Sequence, residues 1–168
     1  MEPVGPGAAP GLVTVGTLPS RVTLGSADDT HAFGMRLGRV LGAGDLVVLT
    51  GDLGAGKTTL TQGVGAGLGV RGPVTSPTFV IARVHPSLVG GPALVHVDAY
   101  RLHGALELDD LDLDADVADS VTVVEWGHGV AERLADDYLE VVLAAEAGEA
   151  RTVTLTGFGD RWAGVVRE

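Results

Sequence analysis

The sequence predicts a single α/β domain in which a mainly parallel sheet, with antiparallel edge strands, carries helices on both faces. Three observations predict it. Strand-length apolar runs alternate with helical stretches over the first two thirds of the chain, two strands follow one another near the end, and a glycine-rich loop, GDLGAGKT (51–58), joins an apolar strand to a helix.

Residues 1–19, rich in Gly, Pro and Ala with few charges, are expected to form a disordered leader to a domain spanning 20–168. RVTL (21–24) is a short strand. Ser26, followed by Asp28 and Asp29, reads as a helix start, with carboxylates beside the positive end of the dipole. That helix should run to about Leu41, where Gly42 and Gly44 stop it. DLVVLT (45–50) is a continuous apolar strand, GDLGAGK a loop, and TTLTQGVGAGLG a helix diluted by Gly63, Gly65, Gly67 and Gly69. Each glycine costs about 1 kcal/mol of helix propensity relative to Ala, so this helix is expected to fray or end early. FVIARV (79–84), ALVHV (93–97), VTVV (121–124), YLEVVL (138–143) and RTVTLT (151–156) read as strands. ELDDLDLDADVAD (107–119) alternates acid and apolar residues too irregularly to be more than a helical or irregular connection.

Composition narrows the function classes. At 168 residues and 45% hydrophobic, the chain supports one sizeable core. Its apolar runs fall short of the roughly 20 residues a spanning helix needs, and the N-terminus lacks the basic-then-apolar pattern of a secretory signal, so a cytoplasmic protein is expected. There is no cysteine, which excludes disulfides and thiol chemistry. The formal charge is −11 and no basic run exists. A protein that held nucleic acid tightly would need cations to displace phosphate counterions, so direct tight binding to nucleic acid is not expected.

Lys57 is the sole lysine among eleven long basic side chains. The reason lies in its neighbours. Gly51, Asp52, Leu53, Gly54, Ala55, Gly56, Lys57 and Thr58 fit the phosphate-loop pattern G-x-x-x-x-G-K-[ST], between a buried strand and a helix, where the pattern has physical meaning. Glycines let backbone N–H groups curl around phosphate oxygens, the helix N-terminus adds a positive field, and the ammonium bridges the β- and γ-phosphates of a nucleotide. A compact point charge suits that place better than a planar guanidinium. Thr58 would supply a hydroxyl to Mg²⁺, and Thr59 continues the nucleotide-binding run.

Such a site needs a carboxylate on a neighbouring strand to hold Mg²⁺ and a group that senses or attacks the γ-phosphate. ALVHV ends in Asp98 and VTVV ends in Glu125. Both acids fall at carboxyl ends of strands, where ligands bind in such sheets. Aspartate is the commoner magnesium partner, which makes Asp98 the candidate metal-side residue and Glu125 the candidate that orients the attacking water. In TSPTF (75–79), Thr78 is placed to close over the γ-phosphate, with Pro77 stiffening its approach. Other features read as bland. Asp110, Asp112 and Asp114 open like a calcium loop, but Ala115 stands where glycine is required. His96 and His103 lack metal-ligand company. Trp162 reads as packing, and Arg101 as a candidate for nucleotide or partner contact.

LTGDLGAGKTTLTQG, SPTF (76–79), HVDAYRL (96–102) and VEWG (124–127), in that order and at these distances, resemble the TsaE family, the bacterial ATPase subunit of tRNA N6-threonylcarbamoyladenosine synthesis. The likeness runs from about Arg21 to Leu143. It implies a P-loop NTPase fold and ATP hydrolysis, with Mg²⁺, in support of threonylcarbamoyl transfer to the adenosine next to the anticodon. The implied partner is the TsaD–TsaB transferase pair. It also implies phosphate and magnesium roles for Lys57 and Thr58, a metal-side role for Asp98, and the family's E-W pair in Glu125 and Trp126, with Glu125 catalytic and Trp126 beside the nucleotide or the partner. Ala99, Gly127 and Val84-His85 depart from the family's usual residues, away from the nucleotide chemistry. Two rivals remain open on the residues alone. A small-molecule kinase shares the phosphate loop but would carry an Arg-bearing lid, and the region after Glu125, WGHGVAERLADD (126–137), offers only Arg133. A nucleotide-dependent binding module with incidental hydrolysis would share all of these residues.

Overall fold

The computed structural model describes residues 14–15, 20–52, 54–72, 74, 82–98, 118–125, 136–162 and 166–167. Nine strands and two α-helices are present among them: β1 (Thr14–Val15), β2 (Ser20–Leu24), α1 (Ala27–Val40), β3 (Leu46–Thr50), α2 (Lys57–Leu68), β4 (Ala82–His85), β5 (Ala93–Asp98), β6 (Ser120–Glu125), β7 (Tyr138–Ala145), β8 (Arg151–Phe158) and β9 (Val166–Arg167). A single 3-10 turn, Asp160–Trp162, follows β8.

Seven strands form one sheet in the order β2-β8-β7-β3-β6-β5-β4. Its centre is parallel: β3 pairs with β7 on one side and β6 on the other, and β6 pairs with β5. The flanks are antiparallel, through β7–β8 and β8–β2 at one side and β5–β4 at the other. The mainly parallel sheet with antiparallel edges read from the sequence is therefore the architecture. Consecutive residues of β3 and β6 are buried, Leu46 to Leu49 and Ser120 to Glu125, so both faces of the central sheet are covered. One face carries α1 and α2, whose Phe33, Leu37, Leu60 and Val64 share a core with Val47, Leu49, Val123, Val141 and Leu155. Segments 99–117 and 126–135, where the sequence leaves room for further helices, lie outside the described residues. β1 and β9 pair separately as a two-stranded sheet, so two residues of the expected leader are held by the far end of the chain.

The helix diluted by glycine does not end early. α2 runs to Leu68, and Gly69, at φ 77°, closes it while the Val70 N–H returns to the Gly65 carbonyl. The reason is its neighbour. A Cβ on Gly63 would stand 2.2 Å from the His31 carbonyl oxygen and one on Gly67 2.1 Å from that of Met35, while a Cβ on Gly34 or Gly38 of α1 would stand 2.3 Å from the Leu60 oxygen or 2.4 Å from the Val64 oxygen. Glycines four apart on each helix share a face, and here both faces meet, so the two backbones come into direct contact. Packing gained at this crossing offsets the propensity that each glycine loses.

The connection between α1 and β3 is tied from below. Buried Asp45 accepts from the Gly42 N–H at 2.8 Å and takes both Nε (3.0 Å) and Nη2 (3.1 Å) of Arg161, whose guanidinium lies 4.3 Å over the Trp162 ring. Trp162 is buried, as a packing residue should be.

Candidate functional site

The two helices begin differently, and the difference marks the site. α1 is capped: Ser26 Oγ accepts from the Asp29 N–H at 3.1 Å, and Asp28 and Asp29 face its positive end. At the start of α2 neither device exists. Its N-cap is Gly56, with no side-chain cap and no acidic residue in the first turn. Among the described residues no side chain caps the first turn, whose N–H groups carry the partial positive charge of the helix start.

The loop in front of α2 is shaped for this. Gly54 (φ 81°) and Gly56 (φ 103°) hold left-handed conformations that side chains disfavour. At Gly51 the restriction is spatial, since a Cβ would approach the Leu143 carbonyl of β7 to 2.8 Å. Lys57, buried to 7% exposure, turns back so that its ammonium donates to the Gly51 carbonyl and, at 3.5 Å, to that of Asp52. A cation is thereby held under the loop. Thr58 is exposed beside it and Thr59 half-buried.

The acids stand opposite. Asp98 ends β5 and Glu125 ends β6, and the parallel register sets them side by side. Both occupy the face that carries α2, because Leu94 and His96 precede Asp98 at two-residue steps, as Val121 and Val123 precede Glu125. Glu125 is 5% exposed. Its Oε2 accepts a hydrogen bond from Nε2 of His96, which is fully buried. His96 Nδ1 finds no partner among the described residues.

Between these elements lies a cavity of about 390 Å³, within the range of small-molecule sites. It is lined by Gly54, Gly56, Lys57, Thr58 and Thr59 on the loop side, by Asp98 and Glu125 at the strand ends, and by Ala27, Thr30, Glu149 and Arg151 on the third side. The structure thus brings Lys57, Thr58, Thr59, Asp98 and Glu125 to one cavity at the carboxyl ends of the parallel strands. Leu53, Thr78, Arg101 and Trp126 lie outside the described residues. The sequence reading set His96 aside as bland and did not single out Glu149 or Arg151. His96 was legible through the period-two alternation HVD, which sets it on the face of Asp98. Glu149, whose Oε1 accepts from the Ala27 N–H at 3.1 Å, and Arg151 come from the turn before a distal strand and carry no pattern that announces a site. No helix among the described residues is long and apolar enough to cross a membrane.

Residues 24–153 match the family model described as threonylcarbamoyl adenosine biosynthesis protein TsaE. The chain is 64% identical over 135 residues to the tRNA threonylcarbamoyladenosine biosynthesis protein TsaE of Streptomyces coelicolor, covering 77% of this chain and 91% of that one. It is 53% identical over 145 residues to the protein of the same name in Mycobacterium bovis, covering 82% and 84%, and 40% identical over 120 residues to that of Bacillus subtilis, covering 71% and 73%. Among solved structures, a crystal structure of Bacillus subtilis YdiB superimposes with a TM-score of 0.68 at 31% identity, over 85% of this chain and 88% of that one. With a phosphate-type loop, paired strand-end acids and a match over most of its length, the chain belongs to the TsaE family of threonylcarbamoyl adenosine biosynthesis proteins.

Proposed function

We propose that the chain binds ATP with Mg²⁺ and hydrolyses it, and that this turnover serves threonylcarbamoylation of tRNA by driving the cycle of the TsaD–TsaB transferase pair. One observation carries the reading: the uncapped start of α2, holding the only lysine, opens onto a cavity whose opposite wall is two carboxylates. An anion fits the first wall and repels the second, unless a cation lies between them. A nucleotide triphosphate with a divalent ion meets both conditions.

In this reading Lys57 and the N–H groups of Gly56 to Thr59 hold the β- and γ-phosphates. The Thr58 hydroxyl and the Asp98 carboxylate are oxygen donors of the kind Mg²⁺ takes, one or two protein ligands with phosphate and water completing the shell. When bound, the metal neutralises charge shared by the β- and γ-phosphates. Glu125, with one oxygen engaged by His96, has the other for a water molecule. It orients that water and takes its proton as the water oxygen bonds to the γ-phosphorus and the bond from that phosphorus to the bridging oxygen breaks, giving ADP and phosphate. The sequence further assigns Thr78 to the γ-phosphate and Trp126 to the nucleotide, both outside the described residues. A charge of −11 favours action on a protein partner over a grip on tRNA, and the setting is cytoplasmic.

ATP turnover measured alone and with purified TsaD–TsaB tests the proposal. Turnover should be low alone and rise severalfold with the pair, and Lys57→Ala should abolish both while the circular dichroism spectrum stays native. Native-rate hydrolysis by Lys57→Ala, or labelled γ-phosphate appearing on a metabolite with no response to the pair, would overturn it.

A further inference from the structure

Arg151 opens β8, where its backbone pairs with Leu24 just before α1 begins. Its side chain crosses to the phosphate loop. Nε donates to the Ala55 carbonyl at 2.8 Å and Nη2 to the Gly54 carbonyl at 3.1 Å, while Nη1 donates to the carbonyls of Gly148 at 3.0 Å and Ala150 at 2.8 Å. Four charge-assisted bonds therefore tie the β7–β8 turn and the loop to one planar group. The same turn holds the N-terminus of α1 through Glu149 and Ala27.

A trans peptide points its C=O and its N–H in opposite directions. Fixing the Ala55 carbonyl against the guanidinium therefore aims the Gly56 N–H away from Arg151, and fixing the Gly54 carbonyl does the same for the Ala55 N–H, which meets the Asp52 carbonyl at 3.0 Å and closes the turn. Lys57 holds the start of the loop at Gly51 and Asp52, but Gly54 and Gly56 carry no side chains to pack, and Gly54 is exposed. Glycine loops lose much conformational freedom on ordering, and a loop already ordered binds its anion without that cost.

We propose that Arg151 is a positioning residue for the phosphate loop: by holding the Gly54 and Ala55 carbonyls outward it presets the loop's N–H groups for a nucleotide triphosphate, and so sets affinity rather than the chemical step. The proposal rests on the nucleotide reading above. A guanidinium is required, since one ammonium cannot span two adjacent carbonyls and the turn together.

The experiment uses the full chain with Arg151→Met and Arg151→Lys, and Thr152→Val as a control that removes a hydrogen bond from the same turn, Thr152 Oγ1 to Glu146 Oε2 at 3.0 Å, without touching the loop. Two quantities are read: amide hydrogen exchange at residues 54–57 without nucleotide, and the Kd and kcat for ATP with Mg²⁺, binding being followed with a fluorescent ATP analogue. Both Arg151 variants should exchange faster at the loop and bind ATP about tenfold to a hundredfold more weakly, as the loss of charged hydrogen bonds implies, with kcat at saturation within about threefold of native. Thr152→Val should match the native chain in both. Unchanged loop exchange in Arg151→Met and Arg151→Lys, or an equal loss of affinity in Thr152→Val, overturns the positioning role. Absence of ATP binding by the native chain overturns the nucleotide reading instead, and the exchange result still decides whether Arg151 orders the loop.

Discussion

Gly63→Ala sets two known effects against each other with opposite signs. Inside an isolated helix the substitution stabilises by about 1 kcal/mol, because Ala surrenders less backbone entropy. At the crossing with α1 it does the reverse. The new Cβ would lie 2.2 Å from the His31 carbonyl oxygen, 2.9 Å from the Gly34 Cα and 3.1 Å from the His31 carbonyl carbon, all of them backbone atoms that no rotamer change can move. A carbon and a carbonyl oxygen come no closer than about 3.3 Å in ordinary contact, so the helices must part by roughly 1 Å, and a gap of that size forfeits a quarter to a half of each dispersion contact along the seam. Overpacking costs about 1–3 kcal/mol, and the backbone nature of the clash places this one at the upper end. After the propensity gain, a net loss of about 1–2 kcal/mol is expected, or about 2–8 °C in Tm for a chain of this length. Urea and thermal unfolding followed by circular dichroism measure it. Gly42→Ala, where a Cβ meets nothing within 4 Å, serves as the reference and should stay within about 0.5 kcal/mol of native. If Gly63→Ala raises stability by about 1 kcal/mol, the close crossing is refuted and propensity alone governs α2.

Glu125→Gln should leave ATP binding with Mg²⁺ within about threefold of native and slow hydrolysis at least tenfold, since a proton acceptor is lost while shape is kept; equal losses of binding and turnover would move Glu125 into a metal-holding role. Asp45→Ala strips the acceptor from the Gly42 N–H and from Arg161 and should lower unfolding free energy by about 1–3 kcal/mol, the cost of leaving buried polar groups unpaired; a neutral result would show that the tie beneath the sheet contributes nothing. His85 is buried, its Nε2 has no partner among the described residues, and its pKa is held below the ordinary value of 6.5, chiefly by burial and further by the neighbouring His96. The unfolded chain then binds the proton more readily than the folded one, so His85 should make stability fall as pH drops below about 6.5, and His85→Leu should flatten that part of the Tm–pH curve.

What the sequence made legible follows from where physics is local. The strand–loop–helix unit at 45–68 could be read because a buried strand, a glycine loop and a lone lysine lie consecutively. Asp98 and Glu125 could be read because each is the polar residue at which an apolar run stops. The helix start at Ser26 was equally local, and the Oγ–N–H cap stands where the residue types place it. The glycines of α2 misled because propensity concerns one helix while their purpose involves two; the matching pair, Gly34 and Gly38, sits some thirty residues earlier. β4 reaches one residue further than expected for a similar reason. Its strand ends at His85 instead of Val84 because antiparallel pairing with β5 sets Leu94 opposite His85. Arg151 could not have been found, since recognition of backbone carbonyls places no demand on the side chains of the loop it holds.

The strand order has a consequence for how the chain is made. β3 lies at the centre of the sheet, yet its two partners, β6 and β7, are both translated later, beginning at Ser120 and Tyr138. At roughly 5–20 residues per second, the apolar run Leu46–Thr50 leaves the ribosome and waits several seconds for a mate. β5 waits for the same strand, β6, although β4 can cover its other edge meanwhile. α1 and α2 need no such delay, because their seam closes as soon as Leu68 has emerged. The partners of the helical seam are thus complete well before the central strand has any, and β3 stays unpaired until β6 arrives and brings Glu125 with it. Assembly of the sheet and completion of the acidic wall become one event, and a chain cut short before Ser120 has neither.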